Sequence, residues 1–148
     1  MNKFTNKNVI ATVQGFRTLP YRVQGRDTEG VSRGTDCGGL LALTAKAWDV
    51  SDADVLGYSN APQAQIFDKI LSSELNEITP KEDLWIADIL AFDEGEGLQH
   101  IAFVTEVEPR IKIIHAKRNR GVVEHYLKAR EKKEWIKTFR FKGIMKTI

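Results

Sequence analysis

His100-Ile101-Ala102-Phe103-Val104-Thr105-Glu106-Val107-Glu108-Pro109-Arg110-Ile111-Lys112-Ile113-Ile114-His115-Ala116 reads as two strands about a turn, both arms crowded with β-branched and aromatic residues and broken at Glu108-Pro109. The same texture extends back to Leu84–Phe92 and returns at Val122–Leu127 and Trp135–Ile144. A meander of about five strands is therefore predicted after Pro80. Before Pro80 the spacing is helical. Val9, Ile10, Val13 and Phe16 mark a short helix from Asn8 to Phe16, and Ile66, Ile70, Leu71 and Leu75 mark another from about Pro62 to Leu75. Between them, Thr35-Asp36-Cys37-Gly38-Gly39 leads directly into Leu40, Leu41, Leu43, Ala45, Ala47 and Trp48, a helix with a thick apolar face. Helices first and strands afterwards predict an α+β domain with helices packed on an antiparallel sheet, not alternating βαβ units.

The chain has 148 residues, 42% apolar and 28% charged, which fits one globular domain spanning residues 1–148 and excludes a disordered or collagen-like chain. Met1 to Asn8 holds no apolar run of signal-peptide length, and no stretch approaches a membrane span. The expectation is a protein made in the cytoplasm that would reach any outside substrate in a larger particle or after lysis. Net charge is +2 but unevenly placed, with 13 Lys/Arg against 3 Asp/Glu in residues 110–148. Lys117-Arg118-Asn119-Arg120 and Arg130-Glu131-Lys132-Lys133 lack the interleaved aromatics of single-strand binders, so solvated loops and an outer sheet face are expected, and no nucleic-acid partner.

The single cysteine excludes an internal disulfide and a multi-cysteine zinc cluster. A lone cysteine can be a small buried hydrophobe, but Cys37 falls at a helix start, where partial positive charge lowers a thiol pKa and free N–H groups can hold an oxyanion. Gly38 and Gly39 would clear the approach to its sulfur. A thiol nucleophile needs a histidine to move its proton and a third group to orient that ring. If Glu108-Pro109 is a two-residue turn, Ala102 lies opposite His115 and His100 becomes its diagonal neighbour; a loop one residue longer would turn His115 away. His125, in Val123-Glu124-His125-Tyr126, is expected to be an exposed strand residue. A zinc site of Cys37, His100 and His115 is disfavoured because no short ligand pair is present. Asp93, Glu94 and Glu96 read as an acidic hairpin rather than a calcium loop. No metal or cofactor is called for.

Leu19-Pro20-Tyr21-Arg22 and the polar loop Gln24–Gly34, then Asp36-Cys37-Gly38-Gly39-Leu40, Asp88-Ile89-Leu90-Ala91-Phe92, His100-Ile101-Ala102-Phe103-Val104 and Ile113-Ile114-His115-Ala116, in this order, resemble the NlpC-type cell-wall cysteine peptidases. The resemblance runs through most of the chain and implies a pared-down papain-like fold. It implies hydrolysis of amide bonds in peptidoglycan stem peptides, commonly from γ-D-glutamate to diaminopimelate. By the same resemblance Cys37 is the nucleophile, His100 the general base and acid, and His115 the residue that orients it. Tyr21, Asp36 and Gly38 fall at substrate-binding positions, although Tyr21 could simply pack and Asp36 simply cap the helix. Gly38 stands where serine is frequent, and Ile86-Ala87-Asp88 where Pro-Gly-Asp is usual, which should alter a turn without removing a reacting group. The style is closest to short, signal-free members carried by tailed phages and prophages, which adds phage tail proteins as candidate partners. A tail-assembly protein with a little-used site and a related amidase or acyltransferase are the alternatives.

Overall fold

A computed structural model describes residues 3–50, 64–79 and 83–147. Helix α1 (Asn6–Gln14) starts earlier than its apolar spacing indicates, because the Thr5 side chain accepts a hydrogen bond from the Asn8 N–H and caps it. It buries Val9, Ile10 and Val13. The polar loop that follows contains a two-stranded ribbon, β1 (Arg26–Asp27) against β2 (Gly34–Thr35). Glycine is needed at position 25, where a Cβ would lie 2.4 Å from the Gly34 carbonyl oxygen. Helix α2 (Cys37–Trp48) follows, with Leu40, Leu41 and Ala45 buried.

Helix α3 (Ala64–Glu74) stops before Leu75, which opens strand β3 (Leu75–Glu77) and pairs with Phe141. Pro62, expected in its first turn, lies outside the described residues. Strands β4 (Ile89–Asp93), β5 (Leu98–Glu106), β6 (Lys112–Lys117), β7 (Gly121–Tyr126) and β8 (Trp135–Phe141) complete an antiparallel sheet ordered β3-β8-β4-β5-β6-β7. Among the described residues it has six strands rather than five, because β3 is too short to register as alternation. The meander also folds back, since β8 returns to lie between β3 and β4.

Strand β4 begins at Ile89, not at Leu84. Residues 85–88 form a turn in which the Asp88 carboxylate accepts from the Trp85 N–H at 2.8 Å and Ala87 takes a left-handed φ of 74°. This is the altered Ile86-Ala87-Asp88 turn; it forms with alanine at a conformation glycine would adopt freely. A fourth helix, α4 (Ala129–Glu134), has no apolar face to betray it in the sequence. It is started by its own ends, the Lys128 N–H donating to Glu131 Oε1 at 2.8 Å.

Ile89, Ala91, Ile101, Phe103, Ile114, Phe139 and Phe141 meet the helices, while Leu90, Phe92, Ala102, Val104, Ile113 and Trp135 form a second buried cluster. The central strands are therefore apolar on both faces. The β5–β6 register pairs Phe103 with Ile114, the pairing a two-residue turn would give, although the loop is longer. Glu106 pairs with Lys112 across residues 107–111, and a bulge between Val104 and Glu106 restores the phase. Among the described residues no helix is long and apolar enough to cross a membrane.

Candidate active site

Cys37 is the first residue of α2 and Asp36 its N-cap, so the order Asp-Cys-Gly-Gly fixes the sulfur at the helix start. The Asp36 carboxylate accepts from the Gly39 N–H at 2.8 Å, from the Gln24 N–H at 2.7 Å and from Arg26 Nη1 at 3.2 Å. It thereby ties the polar loop to the helix. Gly39 serves this junction rather than a substrate: a Cβ there would lie 2.3 Å from the Gly25 carbonyl oxygen and 2.4 Å from Thr35 Oγ1. Gly38 is buried in the first turn and is absent from the cavity wall; its backbone N–H faces the Cys37 sulfur, as does that of Ile101.

Tyr21, Asp36, Cys37, His100 and His115 line one cavity of about 490 Å³. Cys37 Sγ donates to the Gln99 carbonyl oxygen at 3.7 Å, which sets the thiol beside the residue preceding His100. Tyr21 reaches the cavity through a bridge to Thr35, and its hydroxyl pKa is raised by burial, then by Cys37 and Asp36, while Arg118 pulls it down. Asp36 thus performs its capping role and also faces the cavity.

The thiol departs from expectation. Burial, followed by the Asp36 charge, pushes the Cys37 pKa up to about 12, outweighing the helix start and the two amides. His100 is lowered to about 4 by burial and then by Lys117, and His115 to about 2 by burial and then by its two histidine neighbours. Burial thus favours the uncharged forms of Cys37, His100 and His115 alike.

His100 Nε2 lies 2.6 Å from His115 Nδ1, and His115 Nε2 lies 2.8 Å from His125 Nε2. His125, read from the sequence as an isolated surface residue, is the third ring of a chain. Its Nδ1 lies 2.9 Å from the Tyr126 carbonyl oxygen. A carbonyl only accepts, so His125 holds a hydrogen on Nδ1, and a ring with that one hydrogen presents a lone pair at Nε2. His115 must then donate from Nε2 and accept at Nδ1, and His100 must donate from Nε2. That leaves the lone pair of His100 on Nδ1, its remaining nitrogen, which is the state a general base requires. The signal was present in the sequence: Lys117 pairs with Gly121 across Arg118-Asn119-Arg120, and two-residue alternation then puts His125 on the face of His115.

Glu131 and Arg118 also border the cavity and were not singled out as site residues. Among the described residues, His115, His125 and Glu131 hold potential metal-ligand atoms within 4.8 Å of one another; the set of Cys37, His100 and His115 does not form such a group.

No protein-family model matches the chain, and no curated protein matches it. Among solved structures it is similar to an NlpC/P60 family protein from Bacillus cereus ATCC 10987, with a TM-score of 0.63 and 22% sequence identity. The match covers 93% of this chain and 40% of the other, so the chain spans less than half the length of that protein. What the two have in common is the fold: this chain is an α+β domain built like part of an NlpC/P60 family protein.

Proposed function

We propose that the chain is an NlpC-type thiol peptidase that hydrolyses amide bonds in peptidoglycan stem peptides, the bond from γ-D-glutamate to diaminopimelate being the favoured target. The observation that carries this reading is the shared cavity of Cys37, His100 and His115, with His100 hydrogen-bonded to His115 at 2.6 Å. As substrate docks, His100 Nδ1 takes the thiol proton and the sulfur attacks the amide carbon. Backbone N–H groups at the helix start stabilise the tetrahedral oxyanion. His100 then protonates the leaving amine, and water, deprotonated by the same ring, hydrolyses the acyl-enzyme. Tyr21 and Asp36 contact the backbone and free amine of the stem peptide. Resemblance to short phage-borne members extends the proposal to a tail-associated enzyme acting on the cell wall.

The test is digestion of purified diaminopimelate-type peptidoglycan by the wild type and by Cys37→Ala, with fragments identified by mass spectrometry. Cleavage after γ-D-glutamate that disappears in the variant is the expected result. A folded wild type that releases nothing overturns it.

One observation favours the second reading, a tail-assembly protein with a little-used site: burial and Asp36 keep the thiol protonated. Iodoacetamide should accordingly modify Cys37 more slowly than a free thiol between pH 6 and 8, with a rate that climbs into the alkaline range. A plateau below pH 6 would instead reveal a standing thiolate. Slow alkylation combined with cleavage supports the peptidase; slow alkylation without it supports the assembly role.

A further inference from the structure

We propose that His115, His125 and Glu131 form a binding site for a divalent transition-metal ion of the zinc class, and that occupancy switches off His100 as proton acceptor. The switch rests on the peptidase reading above; the binding site does not.

The donors are two imidazole nitrogens and a carboxylate, a set suited to zinc and its neighbours rather than to calcium or magnesium. His115 Nε2 and His125 Nε2 stand 2.8 Å apart, and Glu131 Oε2 lies 3.8 Å from His125 Nε2. Around a tetrahedral ion with ligand bonds near 2.0–2.1 Å, donors sit roughly 3.3 Å apart. The rings need separate only slightly, and the carboxylate needs to close in. Glu131 can do so because it rides on α4, a helix of six residues with none buried.

The surrounding contacts are those of ligands already oriented. His125 Nδ1 donates to the Tyr126 carbonyl oxygen at 2.9 Å, which aims its Nε2 lone pair at the gap. Glu131 Oε1 accepts from the Lys128 N–H at 2.8 Å, which leaves Oε2 turned towards His125. His115 and Glu131 border the cavity, so water can take the fourth position. Lys117 and Lys128 add positive charge near His115 that opposes any dication, so the imidazole and carboxylate bonds must outweigh it.

Binding changes the hydrogen-bond direction. An ion on His115 Nε2 takes the lone pair of a nitrogen that carries hydrogen in the empty site. The ring keeps one hydrogen by holding it on Nδ1, which then donates to His100 Nε2. His100 in turn holds its hydrogen on Nδ1, and the lone pair needed for the thiol proton is gone from that atom. No proton leaves the protein: His115 and His100 each exchange a hydrogen on Nε2 for one on Nδ1, and His125 keeps its hydrogen on Nδ1.

Equilibrium dialysis with cobalt(II) on Cys37→Ala should find one ion per chain, with visible bands and no thiolate charge-transfer band. His125→Ala and Glu131→Gln, with unchanged far-ultraviolet circular dichroism, should each weaken binding about tenfold or more. In 15N-resolved imidazole spectra with diamagnetic zinc, the hydrogens of His100 and His115 should exchange nitrogens. Absence of stoichiometric binding to the wild type, or its loss in Cys37→Ala, overturns the site. In the wild type, digestion should fall in proportion to zinc occupancy and return with chelator. An active metal-free protein whose rate ignores occupancy overturns the switch. If the metal-free protein never digests peptidoglycan, the peptidase reading fails, while dialysis and the imidazole spectra still decide the site and the exchange.

Discussion

His125 shows how much a single ring can depend on neighbours that are distant in the chain. It touches neither Cys37 nor His100, yet the direction of every hydrogen bond from the Tyr126 carbonyl to His100 passes through it. Under the proposed mechanism it is a positioning residue. His125→Ala should lower kcat about 10–100-fold with little change in KM. The same variant should blur the tautomers of His115 and His100 in imidazole 15N spectra, a readout that loss of packing alone would not move. That Cys37, His100 and His115 converge on one cavity was legible in the sequence, because the helix-start pattern and two strand ends locate them. His125 is harder to read, because its place beside His115 depends on the phase of a second hairpin through Arg118-Asn119-Arg120. The thiol state was illegible for another reason: the helix-start argument is local, whereas desolvation and the Asp36 carboxylate act through the assembled cavity.

Two junctions between elements hold the site in place. At the first, Gly39 lets the polar loop lie directly on α2. Gly39→Ala inserts a methyl 2.3 Å from the Gly25 carbonyl oxygen and 2.8 Å from Arg26 Nη1, both held by the Asp36 network. A loss of about 1–3 kcal/mol in denaturant unfolding is expected, as for other overpacked sites. At the second, Arg140 of β8 grips the turn before β4: its Nε donates to Asp88 Oδ1 at 2.7 Å, its Nη2 to Asp88 Oδ2 at 2.8 Å, and its guanidinium lies 3.5 Å over the Trp85 ring. Burial holds the Asp88 carboxyl above the usual carboxylate range despite this partner, so the charge depends on it. Arg140→Ala should cost about 3–5 kcal/mol by leaving a buried carboxylate unpaired. Adding Asp88→Asn should recover part of that loss, and a double-mutant cycle on urea midpoints measures how much. Element types were read well because the central strands are long. The misses are short or charged: β3 has three residues and α4 has no apolar stripe, so neither leaves a periodic trace.

Across the whole molecule, four of the thirteen Lys/Arg in residues 110–148 border the cavity, while others such as Arg110 and Lys112 lie against Tyr126 on the surface. Lys117 precedes the β6–β7 hairpin, Arg118 lies in it, and Lys128 and Arg130 flank the start of α4; all four border the cavity. Four carboxylates, Asp36, Glu94, Glu131 and Glu134, balance them in the same lining. The cavity therefore exerts no net pull on a charged substrate, and its cations and carboxylates can act only on separate groups of a bound one. Raising salt from 0.05 to 0.5 M should leave kcat/KM within about twofold, because a balanced lining has little long-range field to screen. A tenfold fall would show that the four cations act on the substrate without their acidic neighbours. The α+β order was legible because helices and strands occupy separate halves of the sequence; the return of β8 between β3 and β4 was not, since pairing between distant strands leaves no local mark.

The chain of rings ends on the oxygen of Tyr126, a main-chain atom that every amino acid supplies. The Tyr126 side chain itself is exposed and engaged with Arg110 and Lys112 on the surface. The atom that gives the proton path its polarity is thus not written in the codon at its own position. It is secured by the strand that holds the backbone there, so substitutions scanned along β7 would leave residue 126 silent while its carbonyl governs the site.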